Sequence, residues 1–168
     1  SGLVLLAKNP YSSCVLSGAV KDHTIHREYA AIVSGKTDAS GTIDLPIARK
    51  DGSTIERVCD PERGETAVTH YWTFAYNKDA DISFIRLLLE TGRTHQIRVH
   101  MKAIGHPLPG DFLYCPDYRF IDRQPLHSTY LRFSHPVTGE KLEFSASLPE
   151  DMRKLFPDIK NPSGPVFF

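Results

Sequence analysis

Residues 67–106 read AVTHYWTFAYNKDADISFIRLLLETGRTHQIRVHMKAIGH, and this stretch decides the fold. Ala67–Tyr76 and Ile82–Leu89 are rich in β-branched and aromatic residues. The polar run Asn77–Asp81 separates them, which is the pattern of a β-hairpin. Glu90–Arg93 reads as a turn. Beyond it the period changes: Ile97, Met101 and Ile104 recur at i, i+4 and i+7, which predicts a helix over Thr94–Ile104. Thr94 is the expected N-cap and Gly105 the expected C-cap. Trp72, Phe74, Ile85, Leu87, Ile97 and Met101 are the expected core of this region.

Working outward, Leu3–Ala7 is a short aliphatic run and Tyr11–Lys21 has a helical pattern. Glu28–Ser34 and Thr42–Ile47 read as strands. Arg49–Thr66 is polar and broken by Asp51-Gly52, Pro61 and Gly64, so it reads as a long loop or an irregular hairpin. Thr129–Ser134 and Lys141–Ser145 are strands joined by a turn at His135–Gly139, and Pro149–Phe156 is a short helix. Strands outnumber helices and neighbouring strands look antiparallel. The expected class is α+β, with a mixed, largely antiparallel sheet flanked by helices. No repeat or interdomain linker occurs, so one domain is expected over 1–156, followed by a tail at 157–168.

Composition bounds the function. The 168 residues are 40% hydrophobic and 24% charged, which suits a folded core and excludes disorder as the default state. The longest apolar runs, Leu3–Ala7 and Leu87–Leu89, are too short to span a bilayer, and no signal-peptide pattern opens the sequence. No membrane partner is expected. Cys14, Cys59 and Cys115 form no C-x-x-C pair, which fits a reducing, cytoplasmic setting. Twenty Lys and Arg balance twenty Asp and Glu, which excludes a strongly basic coat. Residues 86–106 nevertheless hold Arg86, Arg93, Arg98 and Lys102 against Glu90 alone, together with His95, His100 and His106. Such a stripe is either a solvated helix face or an anion-binding surface.

The turn before the helix places Arg93, Thr94 and His95 where free backbone N–H groups favour anions. Thr94, Arg98 and Lys102 lie four apart, on a face distinct from the apolar stripe. A phosphate backbone or a buried carboxylate is the natural counterpart. The three histidines are spaced five and six apart, which does not match the i, i+4 pair of a helical metal site. No G-x-S-x-G elbow, G-x-x-x-x-G-K-[ST] loop or G-x-G-x-x-G turn is present. What remains is a cofactor-free site built from Arg, His, Gln and Tyr. Tyr29, within the strand EYAAIVS, is either a packing residue or an acid–base group.

Four blocks occur in a fixed order. Gly92-Arg93-Thr94-His95-Gln96-Ile97-Arg98-Val99-His100 continues through Gly105-His106-Pro107 to Gly110-Asp111. Arg27-Glu28-Tyr29-Ala30-Ala31 precedes it. Arg123–His127, Leu131-Arg132-Phe133 and His135-Pro136 follow, then Ser147-Leu148-Pro149 with Asp151-Met152. Together they resemble the RluA-type RNA pseudouridine synthases, over about Ser1 to Phe156. The resemblance implies isomerisation of uridine to pseudouridine in ribosomal or transfer RNA, without metal or organic cofactor, by a cytoplasmic protein that is monomeric when intact.

It also implies residue roles. Arg98 pairs with the nucleophilic Asp, Tyr29 stacks on the flipped uracil and takes the C5 proton, and Leu148 lines the base pocket. Arg93, His95, Lys102, Arg49, Lys50 and Arg63 meet phosphates, while His127 is structural. The family's signature is H-R-L-D-x-x-T-S-G, and Ser1-Gly2 resembles its end. The chain is therefore expected to start just downstream of the nucleophile, to be inactive alone, and to leave Arg98 without its carboxylate partner. Asp111 reads as a turn or capping residue. The alternative reading is a non-catalytic RNA-binding fragment.

Overall fold

The computed structural model describes residues 1–159. The tail expected at 157–168 lies outside the described residues from position 160 onward. Helix α1 (Pro10–Lys21) leads into strand β1 (His26–Ser34), followed by β2 (Ser40–Asp44), β3 (Ile47–Arg49), β4 (Arg57–Cys59), β5 (Val68–Asn77) and β6 (Ile82–Leu89). Helix α2 (Gln96–Ala103), strands β7 (Leu126–Ser134) and β8 (Lys141–Ser145), and helix α3 (Glu150–Leu155) complete the order.

Six strands form one sheet in the order β2-β5-β6-β1-β7-β8, and β3 with β4 forms a separate two-stranded ribbon. Every pairing between these strands is antiparallel. The expected class holds, and the hairpin β5–β6 stands as read. β6 is apolar on both faces, apart from Ser83 and Arg86, because both of its faces are covered. Leu87 and Ile85 face one core with Ala31, Val33, Ile97 and Met101. Phe84 and Ile82 face another with Ala30, Ile32, Leu148 and Met152. Burying each such side chain contributes roughly 1.5–3 kcal/mol.

Several local expectations need correction. The run read as one strand, Thr42–Ile47, is two: β2 ends at Asp44, and Ile47 opens β3 in the other sheet. Pro46 lies between them and cannot donate to a ladder. The irregular reading of Arg49–Thr66 resolves into the β3–β4 hairpin, with Arg49 opposite Arg57. Phe74 is not core but 51% exposed, and Trp72 is only partly buried. Thr73 faces Ile85 and Ala75 faces Phe84, so Phe74 is the extra residue of a β-bulge. Tyr71, opposite Leu87, takes the core position instead.

Helix α2 is shorter than expected, and its N-cap is His95, not Thr94. His95 adopts a left-handed backbone (φ 59°) and makes no side-chain cap bond. The C-terminus follows the sequence. Gly105 has φ +86°, its N–H donates to Lys102 O at 3.0 Å, and the His106 N–H donates to Met101 O at 2.8 Å. That is a Schellman ending, which needs the left-handed residue only glycine adopts without cost.

Candidate functional site

Helix α2 is bolted to the sheet by two polar side chains one turn apart. Gln96 Nε2 donates to Val68 O and to Thr69 Oγ1, while its Oε1 accepts from Thr91 Oγ1 and the Arg93 N–H. His100 places Nδ1 2.9 Å from Thr69 Oγ1 and Nε2 2.9 Å from Leu45 O. With Ile97 and Met101 buried between them, the helix has one allowed rotation, and that rotation fixes Arg98.

Arg98 is 7% exposed and forms a bidentate pair with Asp111. Its Nε donates to Oδ2 and its Nη2 to Oδ1, both at 2.6 Å. Asp111 Oδ1 also accepts from the backbone N–H groups of Leu113 and Tyr114 at 3.0 and 3.2 Å. The guanidinium lies over the Tyr114 ring at 4.8 Å, and Lys102 lies 5.6 Å from the same ring. His95 Nδ1 sits 2.9 Å from the Tyr114 hydroxyl. Burial works to raise the Asp111 carboxyl, but the Arg98 and backbone hydrogen bonds outweigh it and hold the carboxyl below the usual range. Burial, reinforced by Arg98 and Arg57, pushes the His95 imidazole down.

This overturns the expectation that Arg98 lacks a carboxylate. Asp111 is its partner, and it caps the turn at 111–114 as well. The cationic stripe over 86–106 also dissolves. Arg86 is fully buried in the sheet and paired with Glu28 at 2.7 Å, and Arg98 is buried, so Arg93 and Lys102 are the exposed cations of that stretch.

Tyr29 lies on β1, packed against the same core as Ile97 and Met101. Burial pushes its phenol up, with the Arg27 charge pulling the other way. A β-bulge in the β1–β7 pairing falls between Glu28 and Tyr29, and Tyr29 lies opposite Ser128. The residue beside it on that face is Leu126, which pairs with Ala31 and packs against the same core. Leu148, expected in the base pocket, is instead buried with Ala30, Ile32 and Met152, in the core on the other face of β1. Alternation along β1 separates the two. Leu126 therefore replaces it as the aliphatic neighbour of Tyr29. The signal was in the sequence, in Arg123–His127, but no strand was expected to begin before Thr129.

The expected phosphate-binding residues fall into two groups. Arg49, Arg63 and Arg93, together with Arg57, line a groove of about 400 Å³ between the β3–β4 hairpin and the 92–94 turn. Nothing in the sequence around Arg57 marks it as the strand partner of Arg49. Arg93 donates to Thr66 O at 2.9 Å and pairs with Glu65, and Arg63 pairs with Asp51 and Asp60 at 2.9 and 2.8 Å. Lys50 pairs with Glu56 at 2.7 Å. Exposed pairs of this kind are worth about 0–1 kcal/mol, so a phosphate competes readily for the cations. His95 and Lys102 belong instead to the Tyr114 cluster. His127 is 5% exposed, with Nδ1 3.0 Å from Ser1 Oγ.

The six-stranded antiparallel sheet carries Tyr29 on β1, and helix α2, packed on the same core, carries the carboxylate-held Arg98. The chain matches the family model described as RNA pseudouridylate synthase over residues 1–103, and it belongs to that family. It is 48% identical to the uncharacterized RNA pseudouridine synthase YjbO of Bacillus subtilis (strain 168), over 92% of this chain and 54% of that protein. It is 40% identical to the ribosomal large subunit pseudouridine synthase D of Zymomonas mobilis, over 93% of this chain and 52% of that protein. The chain thus spans about half the length of the curated relatives it matches. Among solved structures, human RNA pseudouridylate synthase domain containing 1 superposes with a TM-score of 0.72 at 25% identity, covering 94% of this chain and 68% of that one.

Proposed function

We propose that this chain is part of the catalytic domain of an RNA pseudouridine synthase, acting on a uridine of large-subunit ribosomal RNA. The printed name of the Zymomonas mobilis relative supports that substrate over transfer RNA. The observation that carries the reading is the Arg98–Asp111 pair. It holds a guanidinium rigid on the helix whose Ile97 and Met101 share a core with Tyr29, with two nitrogens spoken for and Nη1 unassigned among the described residues. That remaining edge suits the nucleophilic carboxylate, which the resemblance places in an H-R-L-D motif upstream of Ser1.

In the reaction the C1′–N1 bond breaks and a C1′–C5 bond forms. C5 loses its proton and N1 gains one. The uridine leaves the base stack, which costs a few kcal/mol. Tyr29 covers the uracil face and accepts the C5 proton, Leu126 walls the base, and Arg98 holds the nucleophile ionised. Arg49, Arg57, Arg63 and Arg93 hold flanking phosphates and fix register. Lys50 extends that surface, and Lys102 offers a separate exposed cation beside Tyr114.

The test is tritium release from 5-tritiated uridine in ribosomal RNA, run on the 168-residue chain and on a form extended by the residues that precede Ser1 in its reading frame. Activity in the extended form alone supports the reading, and Arg98→Lys should then lose it, because an ammonium cannot reproduce the planar fork. RNA binding without turnover in both forms selects the alternative, a non-catalytic RNA-binding fragment.

A further inference from the structure

The strand that carries Tyr29 carries a second polar side chain on the same face, two residues earlier. Arg27 and Tyr29 together line a cavity of about 420 Å³, whose apolar walls include Leu5, Leu16 and Leu131. No acidic residue lines it, and Ser13, Ser17 and Ser128 add hydroxyl groups. Arg27 differs from the other arginines around the site. Arg86, Arg93 and Arg98 each have a carboxylate. Arg27 forms no ion pair among the described residues, and its Nε is buried without a hydrogen-bond partner. A buried guanidinium N–H without an acceptor is costly, so its presence here points to a ligand that supplies one.

Gly92 explains how the group is held. A Cβ at that position would lie 2.9 Å from Arg27 Nη2 and 3.2 Å from Nη1, so the guanidinium rests against a backbone that has no side chain to displace it. The same glycine opens the turn into α2. Arg27 is thus positioned by the loop that positions Arg98, and a residue pair two apart on a strand is about 7 Å apart, the scale of one nucleotide step.

We propose that Arg27 and its cavity form a binding site for the RNA phosphodiester next to the uridine that Tyr29 receives. The fork geometry of a guanidinium suits two phosphate oxygens, and the apolar walls suit the adjoining ribose and base. This site rests on the reading of Tyr29 as the base-stacking residue, and it is separate from the arginine groove at β3–β4.

The side-chain Nε–H of Arg27 is buried, which makes it observable by ¹⁵N NMR. A five-nucleotide uridine-containing RNA should shift that resonance, uridine nucleoside should not, and inorganic phosphate should do so only weakly. Arg27→Gln should weaken the RNA roughly ten- to a hundredfold, the loss expected of a charge-assisted contact, with Arg27→Lys in between. Amide spectra show that each variant is folded. RNA binding that shifts Arg57 and Arg93 but leaves Arg27 Nε–H unmoved overturns the site, as does a folded protein that binds no RNA. Phosphate as effective as the RNA also overturns it, since the site would then read a free anion. The synthase reading fails independently, through absent tritium release, with the Arg27 shift intact.

Discussion

Asp111 carries two jobs with one carboxylate: it neutralises Arg98 and caps the turn that follows. Breaking a buried pair by removing one charge costs about 3–5 kcal/mol, because the remaining ion has no compensation. Asp111→Asn is therefore expected to destabilise the protein by that amount near neutral pH. The folded Asp111 carboxyl titrates below its unfolded value, so its contribution is present above about pH 4 and is lost as pH falls through the folded value. Urea unfolding of parent and variant should show the gap closing at low pH. A gap that persists unchanged at pH 3 would refute the assignment. Tyr29→Phe tests the other end of the site. The ring that stacks on the base is kept, so loss of the hydroxyl should leave RNA affinity within about twofold, while turnover of the extended form drops by about 10²-fold or more. Arg98 and Tyr29 stand out in the sequence because each sits in a distinctive block. The pairing does not: thirteen positions separate Arg98 from Asp111, and no local pattern reports which turn carboxylate folds back onto a helix.

At the scale of elements, the loop from Gly105 to Gly110 returns the chain from α2 to Asp111, and its geometry is severe at one point. Gly110 has φ +74°, and a Cβ there would lie 2.5 Å from Ile121 O and 2.6 Å from Arg123 O, both backbone atoms that cannot swing aside. Gly110→Ala is expected to cost more than about 1 kcal/mol, through strain and clash together. It should also lower the activity of the extended form, by moving Asp111 and with it Arg98. The control is Gly52→Ala, also at positive φ but with nothing within 4 Å, which carries the strain without the clash. Equal losses in melting temperature for both variants would show that the close approach is unimportant. Periodicity read the hairpin β5–β6 and the helix α2 well, because each buries a face with its own period. It misjudged Phe74 because a bulge inserts a residue without altering composition. The placing of Leu148 in the base pocket comes from the resemblance and not from periodicity; which core a residue joins depends on how distant strands align, and β1 and β6 each contribute to both.

Over the whole molecule, the buried histidines set how the fold responds to acid. Burial pushes His95, His100 and His127 below the usual histidine value. His100 shows why. Its Nε2–H donates to Leu45 O, so its Nδ1 accepts from the Thr69 hydroxyl, which itself accepts from Gln96 Nε2. The proton placement follows from this network of donors and acceptors. Protonating Nδ1 would turn two donors toward one another and strand the Thr69 hydroxyl proton. The folded chain thus keeps these rings neutral while the unfolded chain takes up protons below about pH 6.5. Stability is fully present above that pH and is lost as pH falls toward the folded values, at a slope of at most about 1.4 kcal/mol per pH unit for each proton. Urea midpoints should therefore decline from pH 7 to pH 5, before the Asp111 contribution begins to fail. Replacing His100 with Gln keeps one donor and one acceptor without a titrating group, so the variant should be less stable at pH 7 yet show a shallower decline. A pH profile as steep as the parent's would remove His100 from the account and leave the acid response to His95 and His127.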